Sequence, residues 1–142
     1  MLWVAASAFL VIIVMAAVVA VTRSPSAFDA GTPEAAAQSY LQALLDGDER
    51  AAHAYLSEEL QAACTLTELR NTWMPESVRI TLTETTLLDG TAEVDLIVIE
   101  GSTDPFGGGG TYDVTLVLDH AGDEWIISEP PWPIEHCEME EP

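Results

Sequence analysis

The sequence predicts an α+β domain that follows an N-terminal membrane-spanning helix. Residues 2–21 are apolar or small and carry no charge, and about 20 such residues are needed to cross a bilayer core as a helix. Residues 33–74 place apolar side chains at helical spacing, whereas residues 78–127 alternate apolar and polar side chains. Helices that all precede the strands predict three or four helices on one face of a curved, four-stranded antiparallel sheet.

Residues 1–22 are interpreted as an uncleaved transmembrane anchor, with Trp3 at the interfacial belt. A cleaved signal peptide is the alternative, but such peptides have a basic start and an apolar region of about 7–15 residues. Neither feature is present at this N-terminus. We therefore expect a single-pass protein that contacts the membrane through residues 2–21.

The orientation in the membrane depends on two opposing signals. Arg23 follows the apolar segment, and the positive-inside rule would place it on the cytoplasmic side. The two cysteines of the chain favour an oxidising compartment. We give the cysteines more weight and predict that the domain faces the extracytoplasmic side of a cell membrane, after a short linker at residues 23–32.

The first helix of the domain begins with a clear N-terminal signal. Thr32 is a predicted N-cap, Pro33 suits the first helical position, and Glu34 favours the positive end of the helix dipole. Glycine is typical of the position that follows a helix, so Gly47 is predicted to end this one. One apolar stripe is formed by Ala37, Tyr40, Leu41, Leu44 and Leu45.

Three shorter helices are predicted to follow. Asp48 and Ser57 are candidate N-caps, and Thr65 with Glu68 fits a capping box. Pro75 ends this helical region, which makes the α half of the domain a series of short helices after one long one.

Four strands are predicted after Pro75. The first strand alternates apolar and polar side chains and continues to Leu88, and Asp89–Gly90 after it is a strong hairpin signal. The second and third strands are separated by a glycine-rich loop, and the fourth is the short run WIIS. The predicted inner face of the sheet is apolar. The predicted outer face carries Glu93, Asp95, Asp113 and Asp119.

The stretch TPEAAAQSYLQALLDGDERAAHAYLSEEL, together with DGTAEVDLIV and AGDEWIISEP, resembles small NTF2-like (cystatin-like) domains. The resemblance covers residues 33–129 and includes many bacterial membrane-anchored or secreted members. It implies a curved sheet around the first helix, with a pocket between them. Some relatives, such as ketosteroid isomerases and polyketide cyclases, catalyse reactions in this pocket, and others only bind there.

Four aromatic residues are candidates for lining such a pocket, although core packing is the simpler interpretation: Tyr40, Trp73, Tyr112 and Trp125. Acid–base catalysis would need an inward ionisable group with a shifted pKa, and the inward strand positions contain no carboxylate. This absence favours a non-enzymatic domain.

A second candidate site lies on the outer face of the sheet. Ile97, Ile99 and Val117 interrupt an otherwise acidic surface, so they either form a partner surface or lie under the C-terminal segment. Trp132 and Ile134 of that segment are available to cover them.

Charge and motif spacing argue against several other functions. The net charge of −20 disfavours nucleic acid, because phosphate binding needs cationic side chains. The histidines His53, His120 and His136 lack a metal-ligand spacing, and the glycine run Gly107–Gly110 lacks the lysine of a phosphate-binding loop. We expect neither a metal nor a cofactor.

The C-terminal residues 130–142 form an acidic, proline-rich segment that contains Cys137. With Cys64 at the end of a helix, it predicts an intramolecular disulfide that holds this segment across the fold as a strap. Two unpaired thiols or an intermolecular bond are the alternatives.

The sequence thus favours a membrane-anchored interaction module, either an accessory or assembly subunit of a membrane protein complex or an envelope binding protein. A pocket that binds a small apolar ligand, or an isomerase- or cyclase-like enzyme, is the alternative.

Overall fold

A computed structural model describes residues 27–72, 74 and 75, 77–101, 109–129, 131–135, and 137. In this part of the chain, four helices precede four strands, which confirms the predicted α+β order. The predicted membrane helix at residues 2–21 lies outside the described residues. Among those that are described, no helix is long and apolar enough to cross a membrane.

The four helices begin at the four predicted N-caps. The side chains of Thr32, Asp48, Ser57 and Thr65 each accept a hydrogen bond from a backbone amide in the first turn of the helix that follows. The capping box at Thr65 also forms, with the side chain of Glu68 accepting from the cap amide. The helices are α1 (Pro33–Leu45), α2 (Glu49–Ala54), α3 (Glu58–Ala63) and α4 (Leu66–Asn71).

Gly47 reverses the chain between α1 and α2. Its φ of +70° lies in the left-handed region, which glycine adopts without the steric cost that a Cβ imposes. The amide of Asp48 then donates to the carbonyl of Ala43 over 2.8 Å. This turn places α2 against α1 rather than continuing the long helix.

The four strands form one antiparallel sheet in the order β1-β2-β3-β4, as the meander prediction requires. A register shift between Leu82 and Glu84 places a bulge in β1, and a bulge bends its strand and increases the local twist. The strands are β1 (Ser77–Leu88), β2 (Thr91–Gly101), β3 (Thr111–Ala121) and β4 (Glu124–Ile127).

The predicted inner and outer faces of the sheet are also correct. Val94, Leu96 and Val98 are buried on β2, whereas Glu93 and Ile99, which flank them in the strand, are exposed. Helices cover the inner face, so this face forms the core of the domain together with α1. A sheet that packs against the first helix is the part of the NTF2-like arrangement that the structure shows.

The edge of β4 is paired by a segment from the helical half. The amide of Ser57 donates to the carbonyl of Ile127, and the amide of Ile127 donates to the carbonyl of Tyr55, each over 2.8 Å. Leu56 thereby forms a parallel bridge with Ile127. These bonds join the α and β halves at one edge of the sheet.

Candidate functional site

The space between α1 and the sheet is largely filled by apolar side chains. Tyr40 and Leu44 of α1 pack in the same core cluster as Leu96, Val98 and Leu116 of the sheet. Tyr40, Val98 and Leu116 have no exposed surface. As far as the described residues show, the middle of the domain is therefore a packed core rather than an open pocket.

The Tyr40 hydroxyl is an unusual feature of this core. It is buried, and within the described residues it has no hydrogen-bond partner. Burial first, and then the negative charge of Glu135, raise the pKa of Tyr40 far above its ordinary value. The phenol thus stays protonated, and it contributes shape rather than acid–base chemistry.

A second tyrosine lies under the C-terminal strap. The Tyr112 hydroxyl donates a hydrogen bond to the carboxylate of Glu100, and its ring lies 6.4 Å from the ring of Trp132, centroid to centroid. Burial, followed by the hydrogen bond to Glu100 and the charge of Glu100, raises the pKa of Tyr112 to about 12. Neither tyrosine is therefore a base at neutral pH.

The predicted disulfide between Cys64 and Cys137 is present. It holds the strap so that Trp132 and Ile134 are buried in the core cluster. Residues 131–135 of the strap therefore pack on the inner side of the sheet, next to Tyr112. The alternative in which these two side chains cover the outer face is therefore wrong, because the disulfide ties the C-terminal segment to the helical half, which lies on the inner side.

A narrow groove remains between α1 and β1. Its volume is about 210 Å³, and its walls include Leu41 and Leu45 of α1 and Ile80 and Leu82 of β1. Leu45 is 45% exposed, so apolar surface of the groove is open to solvent.

Glu34 supplies the ionisable group of this groove. Burial would raise the pKa of Glu34, but hydrogen bonds from its own backbone amide and from the hydroxyls of Thr85 and Thr32 hold the pKa below its ordinary 4.5. The Thr85 hydroxyl is buried and reaches no partner with full hydrogen-bond geometry in the described part of the chain, and the backbone amide is the largest of the causes that lower the pKa. Glu34 is thus an anion at neutral pH.

A larger cleft lies at the other side of α1, against β4. It has a volume of about 680 Å³ and is lined by Phe28, Tyr55, Trp125 and several alanines. The Trp125 ring also meets the His120 ring edge-on, with a centroid separation of 4.8 Å. This cleft is wide and open rather than enclosed.

The four candidate pocket residues do not meet in one pocket. Tyr40 lies in the core, Tyr112 lies under the strap, and Trp125 lines the cleft beside β4. Trp73 lies outside the described residues. Sequence reasoning missed the groove that contains Glu34, because the helix N-terminus explains a glutamate there without reference to the neighbouring strand.

The candidate partner residues Ile97, Ile99 and Val117 lie on the outer face of the sheet. Ile99 is 40% exposed, and the other two are half-buried. Neighbouring acids are engaged in the sheet, since the hydroxyls of Thr115 and Thr91 donate to Asp95 and Asp119 over 2.6 and 2.9 Å. The outer face is thus a mixed surface with a small apolar strip.

The described residues contain no group of three or more His, Cys, Asp or Glu side chains that could hold a metal ion. Arg70 pairs with Glu49 over 3.7 Å between Nε and Oε1, and this pair joins α4 to α2. Electrostatically, the described surface is predominantly acidic.

Comparison with known proteins finds a similar fold but no family. No protein-family model matches the chain, and no curated protein matches it. The solution structure of a SEC-C motif containing protein from Rhodopseudomonas palustris is similar, with a TM-score of 0.59 and 18% identity over 72% of this chain and 79% of that chain. At this identity the likeness concerns the fold alone.

Two further structures overlay less well. A designed NTF2 protein covers 63% of this chain and 86% of its own at 14% identity, with a TM-score of 0.49. An NTF-2 like protein of unknown function from Shewanella oneidensis MR-1 covers 66% and 93% at 16% identity, with a TM-score of 0.42.

Proposed function

We propose that this protein is a membrane-anchored, extracytoplasmic, NTF2-like interaction module. It acts without catalysis, as an accessory or assembly subunit of a membrane protein complex or as an envelope binding protein. The observation that carries the proposal is the filled interior, in which Tyr40 occupies the space between α1 and the sheet and the strap covers the side near Tyr112. Filling of this interior by the described residues supports action through the surface of the domain.

The ionisable groups support the same conclusion. A general acid or base works best with a pKa near the operating pH. The pKa of Glu34 is held below its ordinary value, and the pKa of Tyr112 is raised to about 12. Both shifts move these groups away from neutral pH, so neither is tuned for proton transfer.

The location rests on two features of the chain. The disulfide between Cys64 and Cys137 favours an oxidising compartment, and residues 2–21 have the length and composition of a membrane span. A net charge of −20 keeps such a domain from docking on anionic lipid through its surface. Protein partners are thus the expected ligands.

The test is affinity purification of the full chain from the membranes of the cells that make it, after extraction with mild detergent. We expect membrane proteins to copurify in fixed stoichiometry. Recovery of the protein alone, at its own mass, would contradict the proposal. Resistance of the chain to carbonate extraction checks the anchor, and accessibility of a C-terminal tag on intact cells or spheroplasts checks the orientation.

A second candidate function is binding of a small apolar molecule in the cleft beside Trp125. The observation in its favour is the volume of about 680 Å³ with aromatic walls, which is within the range of ligand sites. Titration with the neutral dye Nile red tests it, using Trp125→Ala and, as a control on the outer face, Ile99→Ala. Loss of binding in the first variant alone would favour this function.

A further inference from the structure

The two edges of the sheet differ in how they are covered. The edge of β4 is paired with the segment Tyr55–Ser57 through two backbone hydrogen bonds. β1 pairs with β2 on one side only, and no backbone group in the described part of the chain pairs with its other side. An edge strand of this kind presents a row of unpaired N–H and C=O groups that can accept another strand.

The bulge limits the part of β1 that can pair in this way. The register shifts between Leu82 and Glu84, and a bulge disrupts a regular ladder. The six residues Ser77–Leu82 before the bulge keep an uninterrupted register with β2. This length suits a short extended segment rather than a whole domain.

The groove between α1 and β1 lies beside this regular part of the edge. Ile80 and Leu82 point into it from β1, and Leu41 and Leu45 face them from α1. A strand that is added to β1 would place every second side chain on the groove side, because side chains alternate between the two faces of a sheet. Addition to an edge, with pockets for alternate side chains, is a known mode of peptide recognition.

The charges at the groove and on the whole chain indicate which kind of segment binds there. Glu34 lines the groove, and its lowered pKa keeps it ionised. Thr85, which follows the bulge, lies close enough to Glu34 to affect its pKa, so the carboxylate marks the bulge end of the groove. A second copy of this chain would bring two molecules of net charge −20 together, which is unfavourable, whereas a basic side chain complements Glu34.

We propose that the free edge of Ser77–Leu82 and the adjoining groove bind an extended segment of a partner protein. The groove-facing positions of that segment carry two apolar residues followed by one basic residue. The apolar side chains contact Leu45, Ile80 and Leu82, and the basic side chain pairs with Glu34. This inference rests on the proposed function and names the surface and the chemistry of the partner.

The test uses the isotope-labelled full chain in detergent micelles and a synthetic probe. The probe is the capped peptide Lys-Thr-Val-Thr-Val-Thr-Lys, which presents two valines flanked by lysines on one face in either strand direction. We expect the amides of Ser77–Leu82 to shift in NMR spectra and to gain protection from hydrogen exchange. A peptide of the same composition, with its residues grouped rather than alternating, should cause neither effect.

Two matched variants separate the groove from the outer face. Leu45 and Ile99 are 45% and 40% exposed, and Leu45→Lys and Ile99→Lys make the same change in charge. Leu45→Lys puts a cation near the C-terminus of α1, which the helix dipole tolerates, so the domain should still fold. We expect Leu45→Lys to weaken probe binding about tenfold, or ~1.4 kcal/mol, and Ile99→Lys to leave it unchanged.

Glu34→Gln tests the basic position separately. The unmodified chain should prefer the probe over a version with glutamines in place of its lysines, and Glu34→Gln should reduce this preference; an unchanged preference would contradict the pairing with Glu34. Equal binding of both probes to the unmodified chain would overturn the assignment of Glu34.

Purification from membranes distinguishes the failure of this inference from the failure of the proposed function. If Leu45→Lys retains its partners and Ile99→Lys loses them, the outer face is the interface and this inference is wrong, while the proposed function stands. If the unmodified chain brings no partner, the proposed function itself fails. A dimer by light scattering that Leu45→Lys dissociates would overturn the inference by making a second copy the occupant.

Discussion

Removal of the disulfide by the double substitution Cys64→Ala/Cys137→Ala should lower the free energy of unfolding by about 4 kcal/mol. The bond joins residues 73 apart in the chain, and the chain-entropy relation for a loop of that length gives an entropy loss of about 15 cal/mol/K in the unfolded state, or ~4 kcal/mol at 25 °C. This is a large share of the 5–15 kcal/mol typical of a domain.

Urea unfolding of the full chain in detergent micelles measures this loss. With an m-value of about 2 kcal/mol/M, the midpoint of the double variant should lie about 2 M below that of the unmodified protein. Addition of a reductant should lower the urea midpoint of the unmodified protein by a similar amount and should leave the midpoint of the double variant unchanged. This reagent control separates loss of the covalent bond from any effect of alanine at two buried positions.

The same perturbation should also have a local effect at the strap. The amide of Ile134 donates to the carbonyl of Pro131 over 2.7 Å, and the amide of Cys137 donates to the carbonyl of Ile134 over 2.9 Å. Both amides should exchange faster in the double variant than the amides of β2. Equal midpoints for the oxidised, reduced and substituted proteins would refute the reasoning, because they would mean that the bond does not constrain the unfolded chain.

Three further predictions concern single residues. Tyr40→Phe should leave the free energy of unfolding unchanged or raise it by up to about 1 kcal/mol in urea unfolding, because it removes a buried hydroxyl that lacks a partner in the described residues. A decrease of more than about 1 kcal/mol would show that the hydroxyl is paired. Tyr112 retains its proton to higher pH in the folded protein, with a pKa of about 12 against an ordinary 10.0. The contribution of this shift to stability is therefore complete below pH 10 and is lost as the pH rises through about 12. Absorbance titration at alkaline pH should detect this late ionisation, and Glu100→Gln should move the Tyr112 transition to lower pH. Gly47→Ala should cost about 1–2 kcal/mol in urea unfolding because φ at this position is +70°, and an unchanged midpoint would contradict a rigid left-handed turn.

Local signals predicted the elements of the domain well. Each N-cap uses a side chain within three residues of the amide that it accepts from, so Thr32, Asp48, Ser57 and Thr65 could be recognised without tertiary information. The assignment of side chains to the two faces of the sheet could also be predicted from the sequence, because alternation with period two follows from the geometry of a strand. The pairing of Cys64 with Cys137 was predictable because the chain contains only two cysteines.

The candidate sites were less predictable because they depend on contacts between distant segments. Tyr40, Tyr112 and Trp125 are all amphipathic aromatic residues, and nothing in their local sequence distinguishes a core position from the wall of a cleft. The position of the strap also could not be read from its own residues. Trp132 and Ile134 suit either face of the sheet, and only the disulfide to the helical half places them on the inner side.

By itself, the sequence determined the order of helices and strands, the caps, the hairpin at Asp89–Gly90, the acidic surface and the disulfide pair. All of these follow from short-range geometry, from composition or from having two cysteines. Only the tertiary structure decided that the interior is filled, that β4 is covered while β1 is open in the described residues, and that Glu34 lies beside the groove between α1 and β1. These features arise where segments far apart in the chain pack together. The free energy of that packing depends on both segments, so it cannot be recognised from the sequence of either one alone.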